Sequence, residues 1–295
     1  MRCYSGGVGG PSTGVGRLMR HWMLGTVADH KKATMSTGLV QFTEAQMTAL
    51  IHDELDGAGP CRLSEALSFA DLAATSVVPN ARILMAELDG AGAKLTAKGN
   101  LNRKLVEFLV DRFQWQGYDP ADVRHMNKVV NEQDYTPALY LHAVLRLAGL
   151  ARTEKGFIKL TKKGKALLAD DAAGRLQAIL FTTTFTRYNP AYLDRYDLKE
   201  FFAWQISLIL YLIGQFCDDW RPEDALMRSV SMPSDEALNP RWPGQPVGAF
   251  KARVLRYLCW FGLMEEKQAA ANDDWRQPKL FRKTALYDRM LPFKI

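Results

Sequence analysis

The sequence predicts a mainly α-helical protein with short β-hairpins, organised as two similar units that pack together through apolar helices. Apolar residues recur at helical spacing over much of the chain, for example at Leu101, Leu105, Phe108, Leu109 and Phe113. Two helices end in the same pair of residues, Gly149-Leu150 and Gly262-Leu263, and each is followed by stretches typical of a β-hairpin. These observations indicate one structural plan used twice.

The length of 295 residues is enough for about two domains. We expect residues 1–34 to be disordered or to precede a true start at Met35, and the sequence leaves Met1 and Met35 open as alternatives. Residues 35–79 are predicted to be an acidic, helical N-terminal segment, and 80–170 the first unit. A connecting helix and linker at 171–197 then lead to a second, degenerate unit at 198–295.

The first unit is predicted to have the order helix, short strand, helix, helix and hairpin. We place these elements at Asn80–Leu88, at Lys94–Thr96, after a cap at Asn100, after Thr136 and around the turn Glu154–Gly156. Residues 114–134, between the second and third helices, read as irregular. This order is the layout of a winged helix-turn-helix domain.

The hairpin also resembles known families. The run Ala148–Leu168 is similar to the recognition-helix end and wing of bacterial regulators of the MarR and PadR type. Leu95–Leu101, taken with the same wing, resembles an uncharacterised bacterial family often seen in plasmid or mobile-element reading frames. The first resemblance implies a winged-helix fold in which the recognition helix faces the major groove of DNA. The second names no activity.

A shift of 113 residues aligns the two Gly-Leu pairs and predicts a second winged helix with a longer wing. Its first two helices are expected at 198–216 and 222–231. Its hairpin strands are expected at 264–267 and 279–283, joined by a loop at 268–278, and a closing helix is expected at 285–291. A chance similarity between two helix-hairpin-helix units is the alternative. We interpret the apolar helices of 172–185 and 198–216 as a joint core, with a homodimer interface as the alternative.

The net charge of +6 is concentrated in the first unit. Residues 91–170 contain fourteen Lys or Arg and eight Asp or Glu. Cations beside the wing and the second helix could neutralise phosphates without reading bases, namely Lys98, Arg103, Lys104, Arg152, Lys155, Lys159, Lys162 and Lys163. The outward face of the third helix is expected to add only Tyr140, His142 and Arg146. The alternative is a solvated face whose charges aid solubility.

No catalytic constellation is evident. The chain has no phosphate loop, nucleophile elbow or dinucleotide fingerprint, and its five histidines lack metal-site spacing. The carboxylates of Asp218–Asp224 are interpreted as favourable charges at a helix start. A metal-dependent enzyme is the alternative if they cluster and bind metal. We therefore predict no catalytic residue, no metal, no cofactor and no enzymatic activity.

The function predicted from these patterns is duplex-DNA binding, regulatory in role, by a cytoplasmic tandem winged-helix protein. Four scattered cysteines fit a reducing compartment, and no apolar run is long enough to span a membrane. The alternative is a non-enzymatic scaffold that binds a protein partner, indicated by the cation-poor third helix and the tryptophans of the second half. A homodimer also remains open.

Overall fold

The computed structural model describes residues 42–194, 196, 202–232, 240–269 and 278–295. The expectation for residues 1–34 lies outside the described residues, as does most of the loop expected at 268–278. Within the described part the chain is mainly helical and has two small antiparallel sheets of three strands each. This confirms the predicted class of mainly α structure with short hairpins. No helix in this part is both long enough and apolar enough to cross a membrane.

The segment before the first unit is less helical than predicted. It contains α1 (Glu44–Ile51), which begins with a capping box at Thr43, and the single turn α2 (Phe69–Leu72). Residues 61–64 instead run along the C-terminal segment, where the Arg62 amide donates to Pro292 O at 2.8 Å. These residues are therefore extended and pair with the C-terminal segment, although the sequence predicts a helical segment here.

The first unit has the predicted order, with one added helix. Its elements are α3 (Val77–Leu88), β1 (Ala93–Lys94), α4 (Arg103–Arg112), α5 (Pro120–Met126), α6 (Thr136–Leu147), β2 (Ala151–Glu154), β3 (Phe157–Leu160) and α7 (Lys162–Ala166). The central strand is β3, which pairs antiparallel with β1 on one side and β2 on the other. The last strand of the hairpin therefore joins the whole sheet.

Three local predictions in this unit are wrong. Helix α3 does not begin at Asn80, which lies buried inside it. Asn80 Nδ2 donates to Gln114 O, and Asn80 Oδ1 accepts from the Gln114 amide. The cap of α4 is Asn102 and not Asn100, because the Asn102 side chain accepts from the Leu105 amide. Residues 114–134 are not wholly irregular, since Asp119 caps α5. Asparagine and aspartate favour both caps and turns, so the pattern alone could not choose the right one.

The connecting helix α8 (Ala173–Thr186) is followed by α9 (Ala191–Asp194) and the second unit. That unit contains α10 (Ile206–Phe216), β4 (Arg221–Pro222), α11 (Glu223–Val230), α12 (Gln245–Phe250), α13 (Arg256–Trp260), β5 (Met264–Gln268), β6 (Lys279–Lys283) and α14 (Ala285–Met290). A π-helical turn, Lys251–Leu255, joins α12 to α13. The central strand is β6, between β4 and β5. The strand order therefore matches that of the first sheet.

The two Gly-Leu helix ends have the same hydrogen bonds. Gly149 and Gly262 have φ of +69° and +73°. In each case the following leucine amide donates to the carbonyl five residues earlier, at 2.9 Å for Leu150 and 2.8 Å for Leu263. The carbonyl of that leucine then accepts from the threonine amide before the closing helix, at 2.9 Å for both Thr161 and Thr284. The repeat aligned by sequence is thus a repeat of backbone geometry.

The apolar helices between the units lie inside the molecule. Phe181 on α8 and Phe202 before α10 are buried, and Phe185 packs half-buried against the same core. Gln177 of α8 donates to Phe261 O at 3.0 Å and ties this helix to the second unit. These contacts favour the joint-core interpretation over a homodimer interface.

The two helix ends offer a matched test. Alanine at either glycine would have to adopt a left-handed φ, so Gly149→Ala should lower the free energy of unfolding by about 1–2 kcal/mol. Gly262→Ala should lower it further, because its Cβ would lie 2.7 Å from Thr75 Cγ2, whereas Gly149 has no neighbour within 4 Å. Urea denaturation measures both losses. Adding Thr75→Ser should abolish the excess loss of Gly262→Ala, and equal losses in the two single variants would contradict the contact.

Candidate nucleic-acid interface

Helix α6, expected to present an outward face, is buried on most of its surface. Tyr140 is fully buried, and its hydroxyl lies 2.7 Å from Thr184 Oγ1. Burial raises the pKa of Tyr140 well above its usual range. His142 is also buried, with Nδ1 2.5 Å from Glu132 Oε1. The prediction that Tyr140 and His142 face a nucleic acid is therefore wrong, and only Arg146 of the three is exposed.

Part of the cover over α6 comes from α13 of the second unit. The Tyr140 ring lies 5.5 Å from the Tyr257 ring and 5.2 Å from the Trp260 ring, between centroids. Trp115 closes the group, 5.1 Å from Trp260. Aromatic rings at these separations attract one another beyond the area that they bury. The helix that would enter a major groove is thus used for internal packing.

The His142–Glu132 pair anchors the start of the second helix of the first unit. Glu132 is buried, and its second carboxylate oxygen accepts from the Leu101 amide at 2.7 Å. One carboxylate thereby joins α6 to the residues just before α4. The sequence pattern places Glu132 in an irregular region. Its two partners lie 10 and 31 residues away along the chain, so local spacing does not reveal them.

The outer face of the first sheet carries the predicted wing residues. Ile158 and Leu160 are buried, so Phe157 and Lys159 face the opposite side. Register pairs Lys159 with Arg152, and Phe157 with Lys94 and Glu154. Arg152 forms an exposed ion pair with Glu154 at 3.0 Å, which leaves Lys94 and Lys159 as the cations of this face that have no ion pair with a described residue.

The hairpin turn holds a lysine in an unfavourable conformation. Lys155 has φ +48° and Gly156 has φ +79°, the pattern of a two-residue turn with both residues left-handed. Asparagine or glycine is the usual choice at the first position. Gly156 O accepts from the Leu95 amide at 2.8 Å, so the turn lies beside the end of β1. Lys155 is exposed at this edge.

Three other predicted cations lie around the start of α4. Lys98 is exposed in the turn that the Gly99 amide closes onto Thr96 O at 2.9 Å. Arg103 and Lys104 occupy the first turn of α4 and are exposed. Arg103 pairs with Glu107 at 2.8 Å, whereas Lys104 has no ion pair within the described residues. Asn102 Nδ2 donates to Lys94 O at 2.7 Å and holds this helix start against β1.

Five lysines of the first hairpin, β1 and the start of α4 have no ion pair with a described residue. We call them the wing surface: Lys94, Lys98, Lys104, Lys155 and Lys159. All except the half-buried Lys159 are exposed. Four of them were predicted from sequence. Lys94 was missed, although its place at the start of the predicted strand could have suggested it. Phe157 was also missed, although alternation from Ile158 and Leu160 places it outward.

The remaining predicted cations lie at the other end of β3. Lys162 is five residues beyond Phe157, roughly 16 Å along an extended strand. Lys163 Nζ lies 3.4 Å from Ala148 O, at the end of α6, and the neighbouring Lys165 pairs with Asp89 at 2.6 Å. Lys162 and Lys163 are exposed but do not adjoin the hairpin turn. The predicted basic set therefore divides into two groups.

The second sheet differs in charge. The cations of the β5–β6 hairpin are held in ion pairs or over a ring: Lys279 with Glu266 at 2.6 Å, Arg282 with Glu265 at 2.6 Å, Lys283 with Asp218 at 3.0 Å and Asp288 at 2.9 Å, and Lys267 4.2 Å from the Trp220 centroid. Arg221 of β4 donates to Phe216 O at 2.8 Å. Burial alone would lower the pKa of Lys283, but its pairs with Asp288 and Asp218 outweigh burial and raise that pKa. This wing has little charge left for a polyanion.

The acidic group at 218–224 is dispersed among cations. Asp218 pairs with Lys283, Glu223 with Lys251 at 3.1 Å and Asp224 with Arg228 at 2.8 Å. In the part of the chain that the structure describes, no three His, Cys, Asp or Glu side chains are grouped to hold a metal ion.

The described cysteines are buried and free: Cys61, Cys217 and Cys259. Burial raises the pKa of Cys61 to about 12 and that of Cys217 to about 11. These thiols are therefore protonated near neutral pH and unsuited to act as nucleophiles.

The comparison with protein families covers the first unit. Residues 73–173 match the family described as the Y4jL N-terminal domain. The uncharacterized protein y4jL of Sinorhizobium fredii (strain NBRC 101917 / NGR234) is 34% identical over 115 residues, 39% of this chain and 49% of the relative. The chain thus matches about half the length of that relative. No solved structure matches it significantly. The family match runs from just before α3 to the first residue of α8 and includes the wing surface.

The burial of Tyr140 can be tested directly. Thr184 Oγ1 donates to Leu180 O at 2.7 Å, so it accepts from the Tyr140 hydroxyl. Tyr140→Phe should lower the free energy of unfolding by about 1 kcal/mol, the net value of one hydrogen bond, and should not change affinity for DNA. Denaturation and fluorescence anisotropy measure the two effects. If Tyr140→Phe left the free energy of unfolding unchanged but weakened DNA binding, the Tyr140 side chain would have to face outward.

Proposed function

We propose that the first unit is a winged-helix domain that binds the phosphate backbone of duplex DNA through the wing surface. In this proposal the second unit is a degenerate winged helix that covers α6, and the protein is a regulatory, non-enzymatic, cytoplasmic DNA-binding protein. The order helix, strand, helix, helix, hairpin, with the last strand central, supports the fold assignment. The resemblance of Ala148–Leu168 to regulator wings supports it independently.

The observation that carries the proposal is the contrast between the two wings. The five lysines of the wing surface have no ion pair with a described residue, whereas the cations of the β5–β6 hairpin are held by carboxylates or lie over Trp220. Unpaired cations that converge on one edge neutralise phosphates and release counterions. The five lysines lie in the hairpin turn, on β1 and β3 and around the start of α4, segments that are joined by hydrogen bonds.

Helix electrostatics point to the same ligand. Arg103 and Lys104 lie in the first turn of α4, which contains no acidic residue. Cations there are repelled by the positive end of the helix dipole. A phosphate near this turn would interact favourably with the dipole, the free backbone amides and both side chains. The arrangement is costly for the protein alone and favourable with a bound anion.

The burial of α6 limits the kind of binding. Its remaining exposed cation is Arg146, and the neighbouring Leu147 is 43% exposed. A helix covered by a second unit cannot lie in a major groove, where base pairs are distinguished. We therefore propose binding with weak sequence preference.

A salt series tests this function. The full-length protein should bind a random-sequence duplex with log affinity falling against log salt at a slope of about −4, as expected for five neutralised phosphates. The double variant Lys98→Glu/Lys104→Glu should reduce both the affinity, by at least about tenfold, and the slope. Lys267→Glu, at an exposed lysine of the second wing, is the control and should have little effect. Absence of duplex binding at low salt would refute the proposal.

The turn lysine allows a separation of stability from binding. Lys155→Asn removes one cation and places a residue suited to left-handed φ at that position. The free energy of unfolding should stay unchanged or rise by up to about 1 kcal/mol. DNA affinity should fall a few-fold, with the salt slope smaller by about 1. Urea denaturation and anisotropy measure both, and Lys155→Gly should behave in the same way. Undiminished affinity would remove Lys155 from the interface.

A protein-binding scaffold is the second candidate. It is favoured by the exposed apolar side chains Met126, at 74%, Val129 and Leu147, each at 43%. Leu147 ends α6, the element on which a DNA-reading protein would carry polar groups, and Met126 ends α5. A stoichiometric protein partner in a pull-down, together with no duplex binding in the salt series, would favour this function over the first.

A further inference from the structure

An exposed aromatic residue lies at the tip of the first wing. Phe157 immediately follows the turn residues Lys155 and Gly156, faces away from the core and is 37% exposed. Its register partner on β1 is Lys94, and the same strand pair places the Leu95 amide on Gly156 O. An aromatic ring is thus set among the cations of the wing surface.

The second sheet has a different pair in the corresponding place. There Pro222 of β4 pairs with Leu280 of β6, as Lys94 pairs with Phe157 in the first sheet. Leu280 is half-buried and aliphatic. The fold therefore does not require an exposed ring beside a cation at this position.

This combination suits a base that is not paired. Proteins that bind single strands combine a cationic groove for phosphates with aromatic rings on which bases stack. Inside a duplex both faces of each base are already stacked, so a hairpin tip reaches no free face. A base that emerges from a duplex end has one free face and lies next to the paired backbone.

We infer that the wing surface binds a junction between duplex and single-stranded DNA, with Phe157 stacked on the first unpaired base. Lys98 and Lys104 contact phosphates of the duplex arm, and Lys94 and Lys155 those of the single-stranded arm. This inference rests on the proposed function and specifies its ligand. No covalent step is involved.

The experiment compares three fluorescein-labelled DNAs: a blunt duplex, the same duplex with a single-stranded overhang and the overhang strand alone. Full-length protein at fixed moderate salt should bind the overhang duplex about tenfold more tightly than the blunt duplex, the scale of one stacked base. Phe157→Ala should abolish that preference through weaker binding of the overhang duplex. Phe157→Trp should retain it. Leu280→Ala is the matched control in the second sheet and should retain it as well.

A second readout reports stacking itself. 2-Aminopurine placed at the first unpaired position should lose fluorescence when wild-type protein or Phe157→Trp binds, and should lose less with Phe157→Ala. Circular dichroism and urea denaturation of Phe157→Ala check that this exposed site does not affect folding.

The outcomes separate the two proposals. Equal affinity for blunt and overhang duplexes, together with no effect of Phe157→Ala, would overturn the junction inference. If that binding still depended on Lys98 and Lys104, the proposed backbone-binding function would stand. Absence of binding to all three DNAs would overturn both.

Discussion

Tyr140 lies where α6 of the first unit meets α13 of the second, and much of the structure depends on its contacts with Tyr257 and Trp260. Each ring of this kind buries roughly 150–250 Å² of surface. Separating the units to free α6 would expose several rings together. The connecting helix α8 would also have to move, because its Thr184 is bonded to Tyr140. The face of α6 that could enter a DNA groove is therefore committed to the core, and the surfaces left for a ligand are the sheet, its turn and the start of α4.

The two units keep one backbone plan and differ in what their surfaces carry. The Gly149 and Gly262 helix ends have matching hydrogen bonds, and both sheets have the last strand in the centre. In the second sheet Glu265 and Glu266 face Arg282 and Lys279. Exposed pairs of this kind contribute little stability, but they cancel charge that would attract a polyanion. The second unit supplies part of the cover for α6, and in the first unit the five lysines of the wing surface have no ion pair with a described residue.

Local signals in the sequence were enough to predict the elements that local physics decides. The helix end at Gly149-Leu150 and the hairpin turn at Glu154–Gly156 each depend on neighbouring residues, and each lies where it was predicted. The side-chain environment of α6 was not predictable in this way. Helical spacing put Tyr140 and His142 on an outward face, but Trp260 and Glu132 cover them from positions 120 and 10 residues away. A periodic pattern identifies one buried face of a helix and cannot tell when a second face is also buried.

Several choices that are unfavourable for an isolated protein coincide on one surface. Arg103 and Lys104 oppose the dipole of α4, Lys155 has a φ that favours glycine or asparagine, and Phe157 exposes an aromatic ring. Each has a less costly alternative, and the second sheet uses one of them where Leu280 replaces the exposed ring. Sequences are expected to agree with their folds at every level except where function requires a departure. These three departures lie in two segments that hydrogen bonds join, so together they favour a bound ligand over chance. That ligand must offer groups that interact with both the cations and the aromatic ring.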